Sequence, residues 1–186
     1  MNTRKSILIL LSIHLLTASW QCDKCIERPD ALLNSTRSWL PLKGKTELIF
    51  ADETGTQKPF ALSVTDTIET LSSCPSSFQY EYIGGQLFLN NNKSDYISFN
   101  LQPPHLLIVN AVSNTLSQIS VRDVFTKAGT IAEARKFSNY TIGSRTYPEV
   151  ILLKATAASA IIDSIFIANH TGIAGFKYNG MRYIIQ

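Results

Sequence analysis

Hydrophobic and polar residues alternate along much of the chain after Trp39. Hydrophobic side chains occupy every second position in three clear segments, Phe60–Val64, Ile97–Leu101 and Ile119–Val121. Because successive side chains of a strand point to opposite faces, this period predicts strands with one face on a core and the other in solvent. Such half-buried strands are typical of antiparallel sheets.

Three further segments are apolar at nearly every position, and they predict central strands covered on both faces. These segments are Leu106–Val109, Val150–Leu153 and Ile161–Ala168. Turn-forming residues separate the segments at short intervals, at Asp52–Gly55, Gly84-Gly85, Asn90–Asn92, Pro103-Pro104 and Gly143-Ser144. The predicted fold is mainly β: antiparallel sheet or sheets forming a sandwich, half-barrel or barrel, with at most a short N-terminal helix near Ile26–Leu33.

The sharpest local prediction is a hairpin at the C-terminal end. Asn179-Gly180 is the dipeptide most typical of a type I′ turn, in which both central residues have positive φ. A two-residue turn also fixes the register of the strands that it joins. The expected cross-strand pairs are Tyr178 with Met181, Phe176 with Tyr183, Ala174 with Ile185 and, on the opposite face, Lys177 with Arg182.

A short hydrophobic segment preceded by two basic residues opens the chain. Arg4 and Lys5 come before Ile7–Leu16, and the small residues Thr17–Ser19 follow it. This order is that of a secretory signal peptide, so we expect cleavage after Ser19 or close to it. The apolar segment is shorter than the roughly 20 residues that a membrane-spanning helix needs.

The chain therefore divides into a signal peptide (1–19), an N-terminal arm (20–38) and a single β-rich domain (39–186). The whole chain has 186 residues, of which 45% are hydrophobic and 17% charged, proportions that suit one folded domain. We expect this domain to work outside the cytoplasm, in the periplasm, on the outer-membrane surface or as a secreted protein.

The three cysteines leave two processing routes open. Cys22 or Cys25 could form a disulfide with Cys74, as is usual in an oxidising compartment, but one thiol then remains. Acylation of Cys22 as the first residue of a lipoprotein would remove that thiol and leave Cys25 to pair with Cys74. Bulky Trp20 and Gln21 before the cysteine argue against acylation. The C-x-x-C spacing lacks the further ligands of a zinc site and the βαβ pattern of a redox site, so we predict no metal and no cofactor.

Charge and candidate chemistry argue against two function classes. Without Arg4 and Lys5, 15 basic residues face 14 acidic ones, so the domain has no basic surplus for binding nucleic acid. Two histidines remain, His105 and His170, and neither lies in a catalytic motif. The acidic pair Asp52-Glu53 is interpreted as solvated turn residues. Asp66 and Glu69 form a second acidic pair, and sequence spacing does not fix the distance that a glycosidase needs between two carboxylates. Tyr80, Tyr82 and Tyr96 form either an exposed aromatic face or cross-strand packing.

Several passages resemble small exported proteins and lipoproteins of Bacteroidota whose function is uncharacterised. The similar segments are Trp39–Gly44 with Glu47–Phe50, Tyr147–Val150, Ile165–Ala168, Gly172–Phe176 and Gly180–Tyr183. The resemblance implies a β fold and an envelope location, and it carries over no catalytic residue. Asp66-Thr67-Ile68 and Asp163-Ser164-Ile165 are also similar to the O-glycosylation sequence of that phylum, which makes Thr67 and Ser164 candidate modified residues.

These observations favour a non-catalytic envelope or secreted β-domain that binds an unidentified protein, glycan or apolar ligand. One alternative is a carrier of an apolar ligand or lipid, held in a cavity between strands such as Leu106–Val109 and Ile161–Ala168. Another is an extracytoplasmic hydrolase, in which two acids, or one acid with His105 or His170, converge in one cleft. Membrane contact is expected only through a lipid anchor on Cys22.

Overall fold

The computed structural model describes residue 32 and residues 34–73, 76–103, 106–125, 128–130 and 132–186. Within these ranges the chain forms one short helix, α1 (Asn34–Arg37), and twelve strands. The strands are β1 (Glu47–Asp52), β2 (Gln57–Ser73), β3 (Ser76–Phe88), β4 (Asp95–Gln102), β5 (Leu106–Ser113), β6 (Leu116–Asp123), β7 (Ala128–Thr130), β8 (Ala132–Ile142), β9 (Arg145–Ala155), β10 (Ile162–Ala168), β11 (Gly172–Tyr178) and β12 (Met181–Ile185). The predicted mainly β fold is confirmed, whereas most of Ile26–Leu33 lies outside the described residues.

All twelve strands belong to one antiparallel sheet that is nearly closed into a barrel. The chain enters in the middle of the sheet, where β1 pairs with both β2 and β12. Strands β1 to β7 extend to one edge, and β8 to β12 return from the other edge. Strands β7 and β8 occupy the two edges and are separated in sequence by residue 131 alone, and β6 also contacts β8, β9 and β10. The chain therefore brings the two edges together.

Hydrophobic residues fill the inside of this barrel. In β4, Ile97, Phe99 and Leu101 are buried, and the residues between them are only half-buried, as the alternation predicts. At the meeting of the two halves of the chain, Phe50, Phe60, Phe176 and Tyr183 pack with ring centroids 4.9 to 5.6 Å apart. Edge-to-face and stacked aromatic pairs of this kind stabilise a fold beyond the area that they bury.

The two-sided burial predicted for Val150–Leu153 and Ile161–Ala168 is largely correct, because the β8–β9 hairpin folds over the outside of the sheet. Ile142 and Tyr147, near its tip, are buried against Phe166, Ala168 and Ala174. The prediction for Leu106–Val109 is wrong: Leu107 and Val109 are buried, but Leu106 and Ile108 are only half-buried.

The described end of the N-terminal arm and the residues that follow it pack against one end of the barrel. Trp39, Leu40 and Leu42 are buried there, and the Trp39 ring lies edge-on to Phe125 with centroids 5.5 Å apart. The backbone N–H of His170 donates to the Ser38 carbonyl over 2.7 Å. Helix α1 is too short to cross a membrane, and the described residues contain no other helix.

Candidate functional site

A straight row of polar side chains crosses the outer face of five neighbouring strands. The pairing register places one member on each of β2, β3, β4, β5 and β6. We call this set the polar row: Ser63, Gln86, Ser98, Asn110 and Ser120. With strands about 4.8 Å apart, it spans about 19 Å. The Ser120 hydroxyl donates to Asn110 Oδ1 over 2.7 Å, so the row holds part of its geometry through its own hydrogen bond.

A groove of about 540 Å³ runs beside the polar row. Its other wall comes from the next register line, in which Thr65, Gly84, Asn100 and Ile108 lie side by side. All eleven residues that line the groove are uncharged. The volume falls in the range of roughly 300–1,000 Å³ typical of small-molecule sites. The groove is open to solvent, so a ligand would bind along the surface rather than inside the barrel.

Two glycines in mid-strand shape the floor of the groove. Gly84 carries no Cβ, and the ring of Tyr82 lies where that atom would stand. On the inner side, the Phe99 ring occupies the corresponding space beside Gly85. The turn predicted at Gly84-Gly85 is therefore wrong: both residues lie within β3, and their missing side chains make room for aromatic rings on its two faces.

One acceptor in the groove wall has no partner. The side-chain oxygen Oδ1 of Asn100 is buried and makes no hydrogen bond within the part of the chain that the structure describes. Leaving a buried polar atom unpaired costs about 1–3 kcal/mol. Asn100 lines the groove and is half-buried as a residue, but Oδ1 has almost no exposed surface, so a ligand donor would reach it only after the side chain turned toward the groove.

A second polar cluster joins opposite walls of the barrel at the end away from the N-terminal arm. The Tyr178 hydroxyl donates to Asp95 Oδ2 over 2.6 Å, and the Ser113 hydroxyl donates to Asp95 Oδ1 over 2.8 Å. Burial alone would raise the pKa of Asp95, but hydrogen bonds from Tyr178, Ser113, Ser94 and the Asn114 backbone outweigh it and lower that pKa. Burial and the Asp95 carboxylate raise the pKa of Tyr178 to about 12. The cluster keeps Asp95 ionised and Tyr178 protonated.

The structure brings one predicted histidine close to an acid. Glu149 receives hydrogen bonds from Lys136 and from the Asn169 side chain, and these, with the nearby His170, lower the pKa of Glu149. The Ser38 hydroxyl donates to Asn169 rather than to the imidazole. A general acid near neutral pH usually has a raised pKa, whereas the pKa of Glu149 is lowered.

The predicted acidic turn at Asp52-Glu53 is confirmed. Asp52 accepts hydrogen bonds from the Thr54 hydroxyl and from the backbone of Thr54 and Thr56, and these lower its pKa. Asp66 lies 3.6 Å from the Lys43 ammonium group. Within the described ranges, no three His, Cys, Asp or Glu residues come together in a way that could hold a metal ion.

The other candidate residues are spread over the molecule or lie outside its described part. Thr67 is exposed on β2, and Ser164 is only 8% exposed within β10. Cys22, Cys25, Cys74 and His105 lie outside the described residues. Among the tyrosines, Tyr82 lies in the groove floor, and Tyr96 packs edge-on to Phe88 on the same outer face.

Sequence reasoning missed the groove as a whole. The alternation of Ser98 and Asn100 with buried neighbours marks an outer face, but the alignment of five strands depends on a register that no local pattern fixes.

No known family model, curated protein or solved structure matches the chain.

Proposed function

We propose that the chain is an exported, non-catalytic β-domain of the cell envelope or the secreted fraction, and that it binds its ligand in the groove beside the polar row. The observation that carries the proposal is the groove itself: a concave, uncharged groove of about 540 Å³ on strands β2 to β5, each of which pairs with a neighbour on both sides. Binding sites commonly combine a concave shape with a few convergent polar groups, as this groove does.

The filled interior supports an external site. Leu87, Ile97, Leu107, Ile119 and Ile165 have no measurable exposure, and they pack with the aromatic cluster into one core. An apolar ligand inside the barrel would need space among these side chains, because protein interiors are close-packed. The groove needs no such displacement.

The state of the carboxylates supports a non-catalytic role. Hydrogen bonds lower the pKa values of Asp52, Asp95 and Glu149, and each of the three already has partners within the protein. An acid catalyst near neutral pH usually has a raised pKa instead. These groups act as fixed hydrogen-bond acceptors that hold turns and loops.

Export is tested by intact-mass measurement on the protein purified from its host. We expect a chain that lacks residues 1–19, with or without one disulfide. A lipid mass on Cys22 would indicate the membrane-anchored form instead. A chain that still carries Arg4 and Lys5 would contradict export.

Binding is tested by amide chemical-shift mapping on the mature domain, with neutral oligosaccharides, a peptide library and palmitate as probes. We expect any probe that binds to shift the amides of Gly84, Gly85 and Asn100. Ser98→Arg places a long charged side chain in the groove and should abolish binding. Ser138→Arg makes the same change at an exposed position on β8 and should leave binding intact.

Two results would overturn the groove as the ligand site. One is a bound probe whose shifts map elsewhere on the domain. The other is a probe that binds Ser98→Arg as tightly as the unchanged domain.

A further inference from the structure

The chemistry of the groove restricts what it can hold. Its lining consists of serine, threonine, tyrosine, glutamine and asparagine with glycine and two apolar residues, Phe99 and Ile108. A charged ligand would lose hydration on binding here and would meet no opposite charge in the lining. A long apolar ligand would strip water from the amides and hydroxyls of the polar row. An uncharged ligand rich in hydrogen-bonding groups avoids both costs.

The groups of the polar row match hydroxyl groups in particular. Side-chain amides and hydroxyls each donate and accept hydrogen bonds. A sugar hydroxyl does the same, so Gln86, Asn110 and a sugar can exchange bonds in both directions. The Asn100 side chain, whose Oδ1 is buried and unpaired, adds a further amide next to this row. The Tyr82 ring beside it offers an apolar surface for the C–H face of a sugar ring.

Peptide binding fits the groove less well. An extended peptide usually gains affinity by pairing its backbone with a free strand edge. The polar row instead crosses strands that already pair on both sides: β3, β4 and β5 each have two partners along it. A peptide lying there would leave its own backbone donors and acceptors to side chains alone.

Resting on the proposed function, we propose that the groove binds a neutral carbohydrate, a short stretch of an uncharged oligosaccharide or polysaccharide laid along the polar row. The row spans about 19 Å, which is long enough for more than one sugar ring. Affinity then comes from direct hydrogen bonds with Gln86, Asn100 and Asn110 and from packing on Tyr82. Charge steering has no part in it.

The test is binding of the mature domain to a panel of probes by isothermal titration calorimetry. The neutral probes are cellohexaose, laminarihexaose, maltohexaose, xylohexaose and mannohexaose, and the charged probes are oligogalacturonate and heparin. We expect millimolar or tighter binding to at least one neutral probe, with an affinity that does not change between 50 mM and 500 mM salt. Gln86→Ala and Asn110→Ala should each weaken it about tenfold, the effect of one lost hydrogen bond.

Asn91→Ala is the matched control, because Asn91 is exposed in the β3–β4 turn outside the groove. It should bind like the unchanged domain. Circular dichroism of all three variants checks that they remain folded. A loss of binding in a folded Gln86→Ala variant is therefore a local effect.

The carbohydrate assignment and the proposed function fail in different ways. A charged oligosaccharide, peptide or fatty acid that binds in the groove overturns the carbohydrate assignment and leaves the groove as the ligand site. The same assignment fails if no neutral probe binds at 10 mM or if binding weakens steeply with salt. A neutral oligosaccharide that binds outside the groove, unaffected by Gln86→Ala and Asn110→Ala, overturns both.

Discussion

Gly84 and Gly85 are neighbours in β3, and the absence of their side chains makes room for other groups on opposite faces of the sheet. A Cβ at Gly85 would meet the Ser63 carbonyl oxygen and would lie 2.8 Å from Phe99 Cζ. Both obstacles are held in place by the strand ladder and the core. The three atoms nearest to a Cβ at Gly84 all belong to Tyr82, a half-buried side chain on the outer face that is displaced more easily than backbone or a core ring.

We therefore expect Gly85→Ala to lower the free energy of unfolding by about 1–3 kcal/mol, the usual cost of overpacking a core. Gly84→Ala should change it by less than about 1 kcal/mol. Urea unfolding followed by tryptophan fluorescence measures both changes, and each variant is the control for the other. Equal losses in the two variants would show that Phe99 and Ser63 yield as easily as Tyr82.

This pair also shows where residue-level prediction stops. Consecutive glycines usually mark a turn, because glycine adopts positive φ easily. Here neither glycine has positive φ, and what selects glycine is the space taken by Tyr82 and Phe99. Tyr82 is close in sequence, but Phe99 reaches Gly85 from the next strand. A pattern read along one segment cannot include that neighbour.

At the scale of single elements, local signals predict the C-terminal hairpin well. Asn179 and Gly180 have φ values of 51° and 78°, as a type I′ turn requires. The expected pairs of Tyr178 with Met181, Phe176 with Tyr183 and Lys177 with Arg182 are confirmed. A two-residue turn fixes its register without help from the rest of the chain.

The β8–β9 hairpin was harder to predict, because its course depends on distant strands. Its turn at Gly143-Ser144 is confirmed, but no sequence pattern indicated that the tip would fold over β10–β12. Within β8, Asn139 has a φ of 52°, a left-handed value at which a strand leaves its regular course. At the tip, a Cβ at Gly143 would lie 3.1 Å from Ile184 Cδ1 of β12, so glycine lets the turn approach the outer face closely. The surface that receives the tip exists only after β10, β11 and β12 have paired.

At the scale of the whole molecule, the bond between Tyr178 and Asp95 joins strands that are not neighbours in the sheet. Asp95 begins β4 and Tyr178 ends β11, so the 2.6 Å hydrogen bond crosses one end of the barrel. Each partner is more than 80 residues from the other in sequence. Sequence reasoning placed Tyr178 on the face opposite to Lys177 but had no means to identify its acceptor.

The shifted pKa values of Asp95 and Tyr178 make the free energy of unfolding depend on pH in the acidic and in the alkaline range. The pKa of Asp95 is lowered on folding, so its contribution is present above the ordinary pKa of 3.8 and is lost as pH falls through the folded value. The pKa of Tyr178 is raised from 10.0 to about 12, so its contribution is complete below pH 10 and is lost as pH rises toward about 12.

Tyr178→Phe should therefore act in two ways. At pH 7 it removes the hydroxyl that Asp95 accepts from, and we expect the free energy of unfolding to fall by about 1–3 kcal/mol. Between pH 10 and 12 its stability should decline less steeply than that of the unchanged domain, because the variant no longer has the tyrosine whose deprotonation favours unfolding. Guanidinium unfolding at a series of pH values measures both effects. Tyr96→Phe is the control, because it removes a different tyrosine, on the outer face. Its stability should decline between pH 10 and 12 as steeply as that of the unchanged domain. If the slopes of Tyr178→Phe and the unchanged domain are equal, the bond across the barrel does not control alkaline stability.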